Sequence, residues 1–267
     1  GHMLTTNFLK TRTSTRDYLD KNVSEEDMKK IISFINEESD NLGKDNFNFL
    51  ISTDGENIYK ALAGIAGYGG VMIKAPMYIA LNTLNDNAET FVIGAYGIEK
   101  LITKLNEMGL GTCWITVSDV EDTVKESTFN FTDGKVNHLL AVGYPVDTSV
   151  KEHRFDDRLG VTDFVYIGDL DHKATVEELE QYGLDDLFHY ARFAPSAFNA
   201  QPWRFVVGDG EIKLYIEDYK GVVNLIDAGI IMYYIDELTK TYNQESTWVV
   251  EPKLDGEKYA YIAKIAM

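Results

Sequence analysis

The sequence predicts an α+β chain built from two related halves, residues 3–165 and 166–267. Three observations carry this reading. Helical apolar spacing and short strand-like runs alternate along the chain. No G-x-G-x-x-G or similar phosphate loop joins a strand to a helix, which argues against a doubly wound parallel sheet. Local pieces also recur once: Phe49-Leu50-Ile51 returns as Phe205-Val206-Val207, and Ile93-Gly94-Ala95 through Thr112-Cys113-Trp114 returns as Ile226-Asp227-Ala228 through Thr247-Trp248, with one inserted residue. A repeat this long reads as domain duplication rather than a solenoid.

Taken in order, Ser24 with Glu25, Glu26 and Asp27 offers an N-cap and an acidic first turn to a helix carrying Met28, Ile31, Ile32 and Ile35. Residues 46–52 alternate and then run apolar, as a strand does, and residues 76–84 give a second strand after the glycines at 67, 69 and 70. From Ala88 to Met108 a wide apolar stripe predicts a long helix that Gly109 ends. Strands are expected at 112–117 and 138–142. The second half repeats the order with a helix over 175–192, strands at 203–207 and 213–216, and a buried helix at 222–234, too short and too interrupted to span a bilayer.

Of the 267 residues, 45% are hydrophobic and 12% aromatic, enough for a packed core, and the formal net charge is −18. That charge repels phosphate backbones and anionic lipid, so neither nucleic acid nor membrane is an expected partner. A single cysteine, Cys113, rules out an intrachain disulfide and suits a reducing cytoplasm. The other residue types that bind metals are scattered without ligand spacing, and no metal is expected. The opening Gly1-His2-Met3 resembles a tag-cleavage scar, and no apolar signal segment follows it.

Two segments carry candidate chemistry. Arg12-Thr13-Ser14-Thr15-Arg16 packs two guanidinium groups and three hydroxyls into five residues, a composition suited to a phosphate, although the same residues also make an ordinary solvated arginine pair. Pro195-Ser196-Ala197-Phe198-Asn199-Ala200-Gln201-Pro202-Trp203 interrupts a helix-to-strand step with two prolines, a serine and two amides. Fixed proline φ angles stiffen such a loop, and its polar groups either meet a ligand or cap their own backbone.

With these motifs in view, the sequence resembles the nitroreductase superfamily of FMN enzymes. The family opens with R-x-S-x-R-x-[FY], matched by Arg12, Ser14, Arg16 and Tyr18, and carries P-S-x-x-N-x-Q-P-W, matched from Pro195 to Trp203. Gly109–Ile115 and Val142-Gly143-Tyr144-Pro145 resemble two further family segments. The match covers most of residues 8–160 and 175–250. Family members hold both flavin motifs in one subunit and work as homodimers, each flavin lying between subunits. Here each half keeps one motif and lacks the other, so the resemblance implies a nitroreductase-like fold whose two α+β halves form an intramolecular pseudo-dimer with one flavin site and a decayed twin. The chain is similar to the fused, single-chain branch known as the putative TM nitroreductase type.

Carried over residue by residue, the resemblance implies that Arg12 and Ser14 meet the FMN phosphate, Thr13 adds a contact, and Arg16 places a cation beside N1 and the C2 carbonyl. Pro195, Ser196 and Ala197 would line the ring and ribityl chain, with Phe198, Asn199 and Gln201 along the edge. Backbone N–H groups near flavin N5 and O4 would fall at Thr116 and Val117. Basic residues after the Gly143-Tyr144-Pro145 strand, namely Lys151, Arg154 and Arg158, would complete the phosphate site. The implied activity is transfer of reducing equivalents from NADH or NADPH, through FMN, to a small electron acceptor such as a nitroaromatic or quinone, in ping-pong order and with no catalytic side chain. The alternative is a flavin-binding or flavin-sensing protein without turnover. Fused halves supply the homodimer interface internally, so a monomer is expected.

Overall fold

The computed structural model describes residues 9, 12–67, 71–149, 157–240 and 246–267. They fall into two compact units, one drawn from Lys10–Asp86 and Gly97–Lys151, the other from Gly1–Leu9, Asn87–Tyr96 and Glu152–Met267. Each holds one sheet. The α+β class is as expected.

In the first-sheet unit, α1 (Glu25–Leu42) starts where Ser24 accepts the Asp27 N–H at 3.1 Å and ends at Gly43, whose φ of 112° is left-handed. Then come β1 (Phe47–Ser52), α2 (Gly55–Leu62), β2 (Met77–Thr83), α3 (Ala88–Glu107), β3 (Gly111–Thr116), α4 (Asp122–Phe129) and β4 (Lys135–Gly143). The sheet order is β1-β2-β4-β3 with every pair antiparallel. Strand β2 is buried at every position, which explains its near-continuous apolar sequence. Ile58, Leu62, Tyr78, Ile115 and Leu139 belong to its core. The boundary between the units falls inside α3, after Tyr96.

The second-sheet unit contains β5 (Val165–Ile167), α5 (Val176–Tyr182), α6 (Asp185–Ala191), β6 (Trp203–Gly208), β7 (Glu211–Glu217), α7 (Val222–Thr239), β8 (Val249–Lys253) and β9 (Tyr259–Ala266). The order is β5-β6-β7-β9-β8, parallel only between β5 and β6. The single helix expected over 175–192 is two. Thr175 and Glu178 form a capping box at the start of α5, and Gly183 at φ 71° stops it before α6 begins. Phe164, Phe188, Trp203 and Phe205 form an aromatic core, with Phe164 edge-on to Trp203 at 5.1 Å. Helix α7 is buried over most of its length, and Gly229 lets it approach the part of α3 that belongs to the same unit, Ala88–Tyr96: a Cβ there would lie 2.2 Å from the Val92 carbonyl oxygen. Among the described residues no helix is long and apolar enough to cross a membrane.

Candidate functional site

In the first-sheet unit, the Arg12–Tyr18 segment lies along the ends of β3 and β4. Ser14 bridges Thr112, the Thr15 N–H donates to the Thr112 carbonyl at 2.8 Å, and Tyr18 bridges Pro145. Two glycines make this approach possible. A Cβ on Gly111 would sit 2.4 Å from Thr15 Oγ1, and one on Gly143 would sit 2.7 Å from the Pro76 ring and 2.9 Å from the Tyr18 ring. These two glycines pair with each other across β3 and β4, so one small notch seats the whole segment. Gly111→Ala is expected to cost about 1–3 kcal/mol through this overlap. A urea midpoint matching wild type would show that the segment does not press on β3.

The segment's members differ in role. Arg12 is buried and pairs with Glu99 on α3, which also accepts the Trp114 indole N–H at 2.9 Å. Burial raises the Glu99 pKa above the ordinary carboxylate value, against the pull of Arg12 and Trp114. The charge of Arg12, expected at a phosphate, is thus balanced by a buried acid. Ser14 and Arg16 are exposed, Thr13 is half-buried, and Arg16 makes no ion pair among the described residues. Cys113 is buried beneath them; burial pushes its thiol pKa up, while Arg16 and Ser14 lower it.

Thr116 ends β3 exposed, and its carbonyl accepts the Gly67 N–H at 3.1 Å. Val117 differs from expectation. Its N–H already donates to the Asn137 carbonyl at 2.9 Å, and its own carbonyl accepts from Lys125 Nζ at 3.3 Å, so it holds no spare N–H for a flavin. Lys125, fully buried, also donates to the Val136 carbonyl at 2.6 Å, which pins the ends of β3 and β4 together.

Nearby His138 is buried edge-on to Trp114 at 5.9 Å, and burial, then Lys125, lowers its pKa to about 4. A folded-state pKa below the unfolded value means that this histidine favours folding above about pH 6.5 and loses that contribution as pH falls towards 4. The melting temperature of wild type should therefore fall relative to that of His138→Phe across this window. A constant difference between the two would contradict a buried neutral imidazole.

In the second-sheet unit, the Pro195–Trp203 loop holds three non-glycine residues at positive φ: Phe198 at 55°, Asn199 at 54° and Gln201 at 48°. Ser196 Oγ accepts the Gln201 N–H at 2.9 Å, and Asp227 Oδ1 accepts the Ala197 N–H at 3.0 Å. The amides of Asn199 and Gln201 reach residues 157–159 rather than outward. Asn199 Nδ2 donates to the Asp157 carbonyl at 2.8 Å, Gln201 Oε1 accepts the Leu159 N–H at 2.8 Å, and the Arg158 guanidinium donates to Asn199 Oδ1. This leaves Pro195, Ser196 and Ala197 half-buried and Phe198 80% exposed as the loop's outer surface. Trp203 anchors the loop, wholly buried.

Arg158 thus lies against the loop, while Lys151 and Arg154 lie outside the described residues. Arg192 was not anticipated. Its pKa is lowered by burial and then by the charge of Arg158, which sets two guanidinium groups in one neighbourhood. Asp227 and Glu99 were also not anticipated, although a lone acid in the apolar run of α7 is a readable signal. No group of acids, histidines and cysteines among the described residues could hold a metal.

Two α+β units, each with one sheet and one polar segment seated on it, define a chain of nitroreductase fold. A family model described as "Putative TM nitroreductase" matches residues 5–238, and the chain belongs to that family. A structure from Thermotoga maritima MSB8, described as a "putative nitroreductase", is 19% identical, covers 98% of this chain and 94% of its own, and superposes with a TM-score of 0.61. An FMN-dependent nitroreductase from Clostridium difficile R20291 is 22% identical, with 57% of this chain and 93% of that one covered and a TM-score of 0.46. A nitroreductase with bound FMN from Bacteroides fragilis NCTC 9343 is 14% identical, with 56% and 92% covered and a TM-score of 0.47. No curated protein matches the sequence.

Proposed function

We propose that the protein is a flavin oxidoreductase that holds one FMN and passes electrons from NADH or NADPH to a small electrophilic acceptor. The observation that carries this reading is complementarity. The half that keeps the arginine–serine segment lacks the proline–serine loop, and the half with the loop lacks that segment. The residues present fit the cofactor. Thr13, Ser14 and Arg16 offer hydroxyls and a guanidinium that pairs with no carboxylate among the described residues, the donor set of a phosphate or an anionic ring edge. Pro195, Ser196, Ala197 and Phe198 offer a stiff, mainly apolar surface with one hydroxyl, suited to a planar ring. When bound, FMN supplies the redox chemistry. Arg16 would then stabilise negative charge at the pyrimidine edge, Ser14 and Thr13 would bind the phosphate, and the loop would shield one ring face from water.

The test is anaerobic. Protein reconstituted with FMN should be yellow, bleach on addition of NADH or NADPH, and recover its colour with a quinone or nitroaromatic. Protein that takes up no FMN overturns the reading. A flavoprotein that neither nucleotide reduces overturns the oxidoreductase part of it.

A further inference from the structure

Helix α7 carries a buried acid, Asp227, that lies outside both polar segments of the candidate site. Asp227 is 2% exposed. Its Oδ1 accepts the Ala197 N–H, and its Oδ2, also buried, has no hydrogen-bond partner among the described residues. A carboxylate in that position opposes folding, because one N–H does not replace the water it has lost. Burial accordingly pushes its pKa up to about 7, offset only by the Ala197 N–H. An unfavourable buried acid whose bond goes to a single loop points to a task in that loop.

The loop needs such a partner. Phe198, Asn199 and Gln201 occupy the left-handed region within four residues, a conformation that persists only where its surroundings over-determine it. Ser196 and the two amides hold the turn from within and from residues 157–159. Asp227 supplies the bond to the core helix.

The duplication provides an internal control. In the register that sets Ile93-Gly94-Ala95 against Ile226-Asp227-Ala228, the half without the proline–serine loop has Gly94 in place of Asp227. The same register sets Glu99 against Met232. The half that keeps the arginine–serine segment has the acid that pairs with Arg12, and the other half has a thioether. The matched tryptophans reach the matched positions, though through different atoms: the Trp114 indole N–H donates to the Glu99 carboxylate, and the Trp248 indole N–H donates to the Met232 main-chain carbonyl at 3.2 Å. Each half has its acid where its motif survives and lacks it where the motif is gone.

We infer that Asp227 is a positioning residue, which fixes the strained Ser196–Gln201 turn by accepting the Ala197 N–H and so presents the loop in its ligand-binding shape. The ligand named here, FMN, rests on the function proposed above; the brace itself does not. The experiment compares Asp227→Ala, which removes the acceptor, with Asp227→Asn, which retains an acceptor oxygen. In the flavin-free protein, amide exchange at Ala197 should accelerate about tenfold or more in Asp227→Ala, the loss expected for a hydrogen bond to a carboxylate, while β6 and β7 keep their protection. Asp227→Asn should stay near wild type.

The thermal midpoint of Asp227→Ala at pH 8 should equal or exceed that of wild type, the opposite of what a merely structural core residue gives. The dissociation constant for FMN, measured by dialysis, should rise about tenfold in Asp227→Ala and be restored by Asp227→Asn. Unchanged exchange at Ala197 overturns the inference, as does a loss of protection spread through β6 and β7 or a failure of Asp227→Asn to restore the loop. If exchange responds as described but wild type binds no FMN, the brace stands and the flavin reading fails.

Discussion

Glu99→Ala is expected to destabilise the protein by about 3–5 kcal/mol, because it removes the carboxylate that pairs with the buried Arg12 guanidinium and takes the acceptor from the Trp114 indole. The large figure concerns breaking the pair, not having it. A buried ion pair roughly breaks even against apolar side chains of similar size, so replacing Arg12 and Glu99 together by methionine should recover most of the loss. Urea unfolding of the single and double variants measures both effects at comparable m-values. A loss below about 1 kcal/mol in Glu99→Ala would mean that Arg12 is solvated and free to act elsewhere.

Trp203→Ala should cost a similar amount, about 3–5 kcal/mol, by opening a cavity beside Phe164, Phe188 and Phe205 under the proline–serine loop. Trp203→Phe makes the sharper comparison. Among the described residues the buried indole N–H has no hydrogen-bond partner, so losing it removes an unsatisfied donor while keeping an aromatic ring against Phe164. The expected loss for Trp203→Phe is under about 1.5 kcal/mol. Equal losses for the two variants would mean that indole shape, not apolar volume, holds the loop's foot.

What could be read in advance follows from what sequence patterns encode. Strands β1, β2, β3, β4, β6 and β7 and helices α1, α3 and α7 were legible because each has a one-sided or all-round apolar pattern long enough to count. Helices α2 and α4, eight residues each, were not, since two turns give too few repeats of a period. Strand β9 escaped because alanine at 260, 263 and 266 weakens its alternation, and β8 because proline and charge interrupt it. Gly183 was visible in the sequence, but the apolar spacing on either side continued the helical pattern across it.

At the site, the two polar segments were legible as motifs, and the glycines at 111 and 143 as parts of motifs. Their reason was not, because a missing Cβ becomes meaningful only once Thr15 and Tyr18 are seen lying over it. The engagement of Val117, Asn199 and Gln201 with their own unit was equally out of reach, since it depends on which carbonyls the chain brings opposite them.

The second-sheet unit takes Asn87–Tyr96 from the middle of the stretch that otherwise builds the first-sheet unit. During synthesis those residues leave the ribosome long before α7, whose Gly229 they receive, and Val92 and Ala95, both fully buried in the finished fold, must wait for it. A cut between Lys151 and Glu152 would therefore leave Asn87–Tyr96 on one fragment and the rest of the unit it belongs to on the other.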